Sequence, residues 1–285
     1  MKDFKDKVAV VTGAASGIGR ALVDRCVNEG MRVVLADVDQ TALSSAAETL
    51  NHRGANVMPV HTDVSRAEDV KSLARKTLDK FGAVHLLFNN AGVDARNTIW
   101  EATLADWQWV LGVNLWGVIH GVQTFVPIML EQGDDCHIVN TASIAGLISG
   151  PGIGLYKVAK HGVVSLSETL ACELAAIGAN VNVSVLCPAG VKTKIMDSER
   201  NRPHELHDSA HDTNHPVTIQ IREALGQIVE SGLAPSQVAQ TVFDAIRNQN
   251  FYILTHPDWK PLIRKRMQEI LEERNPYEVP AEMPS

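Results

Sequence analysis

A chain of 285 residues, 45% hydrophobic and 21% charged, carries enough apolar side chain for a substantial core and has the balance of an ordinary soluble globular protein. Its 26 basic against 33 acidic residues give a net charge of −7 without any basic cluster, which argues against a nucleic-acid surface. Cys26, Cys136, Cys172 and Cys187 are too scattered for a metal-ligand set or a disulfide framework, so they read as reduced thiols of a cytoplasmic protein.

The opening residues 1–6 lead straight into a strand pattern, so no signal peptide is expected, and no apolar run reads as long enough to span a membrane. Val8–Val11 is a β-branched strand. Thr12-Gly13-Ala14-Ala15-Ser16-Gly17-Ile18-Gly19 follows it, and a helical pattern runs from Arg20 to Asn28. Strand, glycine turn and helix form the context of a dinucleotide-binding loop: glycines let the backbone approach a pyrophosphate, and the helix N-terminus offers free N–H groups to the anion. Arg32–Asp37 reads as the second strand. A carboxylate at its end accepts hydrogen bonds from ribose hydroxyls and repels a 2′-phosphate, favouring NAD over NADP. The alternative is a helix cap, since Asp37 and Asp39 both precede a helical pattern; Arg20 is the residue that suits a 2′-phosphate.

Asn56–His61 is the third strand, and Asp63 and Val64 beyond it suit an adenine edge, although Asp63 can equally cap the helix from Arg66 to Phe81. Val84–Phe88 is the fourth, followed by Asn89-Asn90-Ala91-Gly92, small and amide residues that let backbone pass close to a ligand. A long helix from Leu104 to Leu130 carries Asn114 in an otherwise apolar stretch, where an amide needs a hydrogen-bond partner in the core or a task in the site. The fifth strand starts at Ile138 and delivers Ser143 to the rim of the sheet. The next helix, to about Ile177, sets Tyr156 and Lys160 at i and i+4 on one face.

That pair has a chemical reading. A free tyrosine titrates near 10, and an ammonium one turn away stabilises the phenolate and makes the hydroxyl a usable acid–base. Ser143 would hold a substrate oxygen in line with it. Taken alone, the pair is also a common accident of helix surfaces. Asn182–Cys187 is the sixth strand, and the strict strand–helix alternation predicts an α/β doubly wound parallel sheet of about seven strands with helices on both faces and ligands at the C-terminal strand ends.

From Lys194 to Pro235 the chain turns polar and irregular, which suits a substrate loop; a helix over 236–248 and a seventh strand over 250–255 follow. His204, His207, His211 and His215 in that loop read as solvated histidines, so no metal is expected. Met196, Ile219 and Leu225 are candidates to line a pocket. Residues 257–274 read as an amphipathic helix docked on the core, and Trp100, Trp107, Trp109 and Trp116 as packing or interface residues. With no repeat and no linker, residues 1–256 form one domain, with 257–285 as a C-terminal helix and tail.

Together these residues resemble the short-chain dehydrogenase/reductase family. The matches are Thr12-Gly-x-x-x-Gly17-x-Gly19, Asp37, Asp63-Val64, Asn89-Asn-Ala-Gly92, Asn114, Ser143, Tyr156-x-x-x-Lys160 and Pro188…Thr193, in the family's order and spacing, over about residues 5–195 with a continuation to 256. The resemblance implies a Rossmann-like enzyme, a homodimer or homotetramer packed through its two long helices. It gives the acid–base role to Tyr156 and to Lys160 both the lowering of that pKa and the nicotinamide ribose. It makes Ser143 the group that positions the substrate and Asn114 the holder of a water in a proton relay. Around NAD it places Gly13, Ser16, Gly17, Ile18, Gly19, Asp37, Asp63, Val64, Asn90, Ala91, Gly92, Tyr156, Lys160, Pro188, Val191 and Thr193. Ser143, Tyr156, Ala189 and Met196 would meet the substrate. One departure is Ala189, where the family usually has glycine; its methyl narrows the nicotinamide end. The expected activity is NAD(H)-dependent interconversion of a secondary alcohol and a ketone on a small-molecule substrate, without nucleic-acid or membrane partners. An NADP(H)-dependent carbonyl reductase and a non-catalytic NAD-binding regulatory protein are the alternatives.

Overall fold

Val8–Thr12 form β1, buried along its whole length, and its side chains divide alternately between two apolar layers: Ala9 and Val11 face one, Val8 and Val10 the other. The computed structural model of the protein describes residues 1–95, 97–207 and 216–276. β2 (Arg32–Asp37), β3 (Val57–His61), β4 (Leu86–Asn89), β5 (Cys136–Thr141), β6 (Val181–Leu186) and β7 (Tyr252–Ile253) join β1 in a seven-stranded parallel sheet. Its order is β3-β2-β1-β4-β5-β6-β7, and every pairing is parallel. The order reverses between β1 and β4, which opens a crevice beyond their C-terminal ends.

Helices cover both faces. α1 (Gly17–Asn28), α2 (Gln40–His52) and α8 (Pro235–Asn248) bury Leu22, Leu43, Leu50 and Phe243 on the Val11 side. α3 (Ala67–Phe81), α5 (Gly117–Gln132) and α6 (Gly154–Ala176) bury Leu73, Phe125, Met129 and Leu170 on the Val10 side. The doubly wound sheet is the fold the alternation predicts.

Several elements differ from expectation. The long helix consists of α4 (Leu104–Leu111), a π-helical turn (Gly112–Trp116) centred on Asn114, and α5. π-helical turns interrupt the regular ladder and concentrate at functional sites. Contrary to the sequence expectation, this continuous run of 29 residues is long and apolar enough, by length and composition alone, to cross a membrane. In the fold it lies beside α3 and α6 against the sheet. The region after Lys194 is also less irregular than expected. It holds 3₁₀ turns at Lys194–Asn201 and His204–Leu206 and a full helix, α7 (Pro216–Ser231). β-branched residues and Gly226 weaken the local helical signal of α7, and packing of Ile221 and Ile228 onto the Gly152 and Gly190 backbone supplies what propensity lacks. β7 is only two residues, paired with Val185 and Leu186. The C-terminal helix is α9 (Lys260–Leu271), which buries none of its residues; the docking falls to Trp259, buried in the 3₁₀ turn before it. All four cysteines are free thiols, with Cys172 alone exposed.

Candidate active site

A cavity of about 690 Å³ runs along the crevice from the glycine turn to the start of α6. Its floor is two backbones in contact. Gly13 has φ +65°, and a Cβ there would lie 2.9 Å from Ala91 Cα, while a Cβ on Gly19 would come within 2.0 Å of the Gly13 carbonyl. Thr12 knits the two loops. Its hydroxyl donates to the Phe88 carbonyl at 3.2 Å and accepts the Asn90 and Ala91 N–H groups at 2.9 and 3.1 Å, and Asn90 Nδ2 returns a bond to the Thr12 carbonyl at 3.0 Å. Ser16 is the N-cap of α1 but makes no side-chain cap bond, so the first-turn N–H groups beside the cavity have no side-chain acceptor.

The two readings of Asp37 separate cleanly. Asp39 caps α2, accepting the Ala42 N–H at 3.0 Å. Asp37 lines the cavity instead, one oxygen accepting the Ala15 N–H at 2.9 Å and the other the Asp39 N–H at 3.0 Å. Arg20 is paired with Asp24 at 3.3 Å and is not part of the wall. Asp63 and Val64 line the adjoining surface; Asp63 accepts the Ser65 N–H and hydroxyl at 2.9 and 2.7 Å, and its side chain does not cap α3, whose N-cap is Arg66.

At the other end stand Ser143, Tyr156 and Lys160. Ile153, in the left-handed region at φ 41°, starts α6 so that Tyr156 falls in its first turn and Lys160 one turn on. Lys157 holds the preceding loop by donating to the carbonyls of Gly150, Pro151 and Gly152 at 2.8, 3.2 and 3.1 Å. Lys160 is buried, donates to the Thr141 carbonyl at 2.7 Å, and lies 5.5 Å from the Tyr156 ring centroid. Burial pushes its ammonium down to about 8. Tyr156 shares a hydrogen bond with Ser143, yet burial, with Asp94 adding to it, raises its hydroxyl above the ordinary value. The lowering expected from Lys160 is therefore not achieved by the protein's own groups.

Ser143 follows β5 and caps a 3₁₀ turn (Ile144–Gly146), its hydroxyl accepting the Ala145 N–H at 3.1 Å and donating to the Pro188 carbonyl at 3.2 Å. Asn114 is fully buried, and its amide forms a closed pair with the Val93 peptide, 2.8 Å in each direction. Its side chain thus makes the core hydrogen bonds that were the plainer reading of an amide there. A water at this position needs the second amide hydrogen or a main-chain group of the π-helical turn.

Gly13, Ser16, Gly17, Ile18, Gly19, Asn90, Ala91, Gly92, Pro188, Ala189, Val191 and Thr193 all line the same cavity. Met196 does not: it points at Gly226 of α7, and neither Ile219 nor Leu225 reaches the wall. The segment kinks at Asp197, and Ile195 and Ser198 face the cavity while Met196 packs against α7. Trp107, Trp109 and Leu206, read from sequence as packing or not singled out, complete the wall. Thr12 and His256, whose Nδ1 accepts the Ala189 N–H at 3.2 Å, also went unassigned; the strand-end rule is the signal that points to both. His204 and His207 are exposed, with ring centroids 6.1 Å apart, while His211 and His215 lie outside the described residues. Among the described residues no group of three or more His, Cys, Asp or Glu is arranged to hold a metal.

Comparisons with known proteins agree with this fold. The family model described as short chain dehydrogenase matches residues 7–204. A CLA biosynthesis dehydrogenase/reductase of Lactiplantibacillus plantarum is 33% identical over 277 residues, covering 97% of each chain. A C alpha-dehydrogenase of Sphingobium sp. is 33% identical, covering 98% of this chain and 90% of that protein. Among solved structures, a short chain dehydrogenase/reductase from Burkholderia phymatum in complex with NAD superposes with TM-score 0.96 at 48% identity, covering 99% of this chain and all of that one.

Proposed function

The chain belongs to the short-chain dehydrogenase/reductase family and is an oxidoreductase; from that premise we propose that it interconverts a secondary alcohol and a ketone with NAD(H), using Tyr156 as acid–base. The observation that carries this reading is one continuous cavity with the glycine turn and Asp37 at one end and Ser143, Tyr156 and Lys160 at the other.

The residues fit a dinucleotide. The side-chain-free α1 N-terminus suits its diphosphate, and the Asp37 carboxylate suits a ribose diol. The cavity residues contributed by the end of β2, the turn after it and α2 are Asp37, Val38, Asp39 and Ala42, acidic or uncharged, which opposes a 2′-phosphate and supports NAD. Bound NAD⁺ supplies the hydride acceptor and a positive charge. In oxidation, Ser143 and Tyr156 hold the alcohol oxygen between them, and the Tyr156 phenolate removes the hydroxyl proton as the carbinol C–H bond gives up its hydride. The products are the ketone, the reduced cofactor and one proton, released to solvent through Tyr156. Lys160, 5.5 Å from the ring centroid, would stabilise the phenolate together with the positive charge of the bound cofactor, since the protein's groups alone leave the Tyr156 hydroxyl raised.

Relatives named as dehydrogenases and reductases, including a 1-deoxy-11-beta-hydroxypentalenate dehydrogenase of Streptomyces exfoliatus, support alcohol–ketone chemistry. Exposed Trp116 and Leu130 on the π-turn and α5, and Val158 on α6, support assembly of a homo-oligomer through these helices. Free thiols support a reducing, cytoplasmic setting.

The test is titration of the protein with NADH and NADPH, followed by a panel of secondary alcohols and ketones with the tighter cofactor. Tighter NADH binding and turnover of a panel member support the reading. Tighter NADPH binding overturns the role of Asp37, and cofactor binding without turnover of any member favours a regulatory protein.

A further inference from the structure

We propose that the buried ion pair between Arg202 and Asp106 sets the width of the substrate end of the cavity and so determines which alcohols are accepted, both residues acting as positioning residues. The proposal rests on reading this cavity as the site of an alcohol dehydrogenase.

The pair joins two walls. Trp107 and Trp109 line the cavity from α4, and Pro203 and Leu206 line it from the segment after β6. Arg202 Nη2 lies 2.5 Å from Asp106 Oδ1, and the two side chains are only 8% and 5% exposed. The pair's remaining contacts fall on the loop side, on the helix side and on the segment leading into α4. On the loop side, Arg202 Nε donates to the Leu206 carbonyl at 2.9 Å, and Nη1 reaches the Glu199 carboxylate at 3.3 Å. On the helix side, the guanidinium carbon sits 4.9 Å from the Trp109 ring centroid. Asp106 also accepts the Thr103 N–H at 2.9 Å and Asn97 Nδ2 at 3.0 Å, closing the capping box that starts α4.

This arrangement is a lock. Two charges this deeply desolvated stay together, because separating them strands each without solvent or partner. Stacking on indole while forking to carboxylate and carbonyl is guanidinium geometry, and a lysine cannot reproduce it. The loop wall is thereby held at a fixed separation from the indole wall. The two walls meet beside Tyr156, where Leu206 packs against the cluster of Trp109, Leu155 and Ala159, so the pair fixes the space an alcohol finds there. Such a space favours an apolar secondary alcohol of one size and excludes larger ones, since no loop movement is free to accommodate them.

The experiment compares wild type with Arg202→Met, Arg202→Lys and Arg202→Met/Asp106→Asn. The double variant removes both charges and leaves none stranded, so it remains informative if a single variant fails to fold. Two readouts are taken: kcat and KM on secondary alcohols of graded size from 2-butanol through cyclohexanol to decalinol, and hydrogen exchange of amides 199–207 without ligand. We expect about a tenfold rise in KM for the alcohol best used by wild type, with kcat and NADH affinity within about threefold. The size preference flattens toward larger alcohols, Arg202→Lys does not restore it, and exchange of 199–207 accelerates. Unchanged size selectivity in the double variant overturns the proposal, as does unchanged exchange. If wild type turns over no alcohol, the functional reading has failed, and the proposal that depends on it falls too; the exchange data then report separately whether the lock exists.

Discussion

His256 at the end of β7 accepts the Ala189 N–H on its Nδ1 at 3.2 Å, and the carbonyl of that same peptide, from Pro188, accepts the Ser143 hydroxyl at 3.2 Å and the Ile144 N–H at 2.9 Å. The peptide plane beside the reacting hydroxyl is thus held from both sides. An N–H can only donate, so Nδ1 must be unprotonated, with the ring hydrogen on Nε2; the Thr255 hydroxyl, 2.8 Å from Nδ1, is compatible with this state. Burial, the main influence, holds the His256 pKa below the usual histidine value, against the Gly190 backbone and Asp258, which favour the charged ring. Protonation of Nδ1 releases Ala189 and loosens Ser143. We predict that His256→Phe lowers kcat by about tenfold, that His256→Gln loses less, and that the wild-type acid limb, below the ordinary histidine value, contains a step missing from His256→Phe. Profiles of kcat against pH check this; superimposable acid limbs contradict it.

Asp37 ties the end of β2 to the glycine turn through the Ala15 N–H while keeping its carboxylate in the cavity. Asp37→Asn removes the charge at nearly the same size and keeps one of the two N–H bonds, its amide nitrogen being unable to accept the other. The ratio of NADPH to NADH dissociation constants should fall at least about tenfold, near 1.4 kcal/mol of discrimination. Fluorescence titration measures it, and an unchanged ratio rules out the carboxylate as the selector.

Lys160 gives a stability signature. Its pKa is depressed from 10.5 to about 8 in the folded protein, so between those values the unfolded chain binds the proton that the folded chain has lost. Wild type therefore gains stability relative to Lys160→Met as pH rises from about 8 to about 10.5, by a few kcal/mol in total. Below about pH 8 both states hold the proton and the difference is flat. Urea unfolding of both proteins across this range tests the sign, and a difference independent of pH contradicts it.

Legibility from sequence followed the range of the contacts involved. The glycine turn, Asp37, Ser143 and the Tyr156–Lys160 pair were readable because strand ends and helix turns position them locally. The capping of α2 by Asp39 rather than Asp37 required backbone geometry. Met196 was misplaced because a polar stretch gave no sign of the kinked segment that directs Ile195 and Ser198 to the cavity and Met196 to α7. The amide of Asn114 found its partner at Val93, 21 residues away, and Arg202 found Asp106 at a separation of 96. Contacts of that range leave no periodicity to read. α7 was hidden for a related reason, as its helicity depends on tertiary packing against Gly152 and Gly190.

The central claim is that Tyr156 transfers the proton during alcohol–ketone interconversion, and the most direct measurement is steady-state turnover of the best alcohol of the panel by Tyr156→Phe beside wild type. The substitution removes one hydroxyl from a side chain whose ring stays beside Lys160. The account predicts a fall in kcat of about a hundredfold or more with NADH affinity within about threefold of wild type. Wild-type kcat in Tyr156→Phe would contradict it and transfer the acid–base role to another group of the cavity.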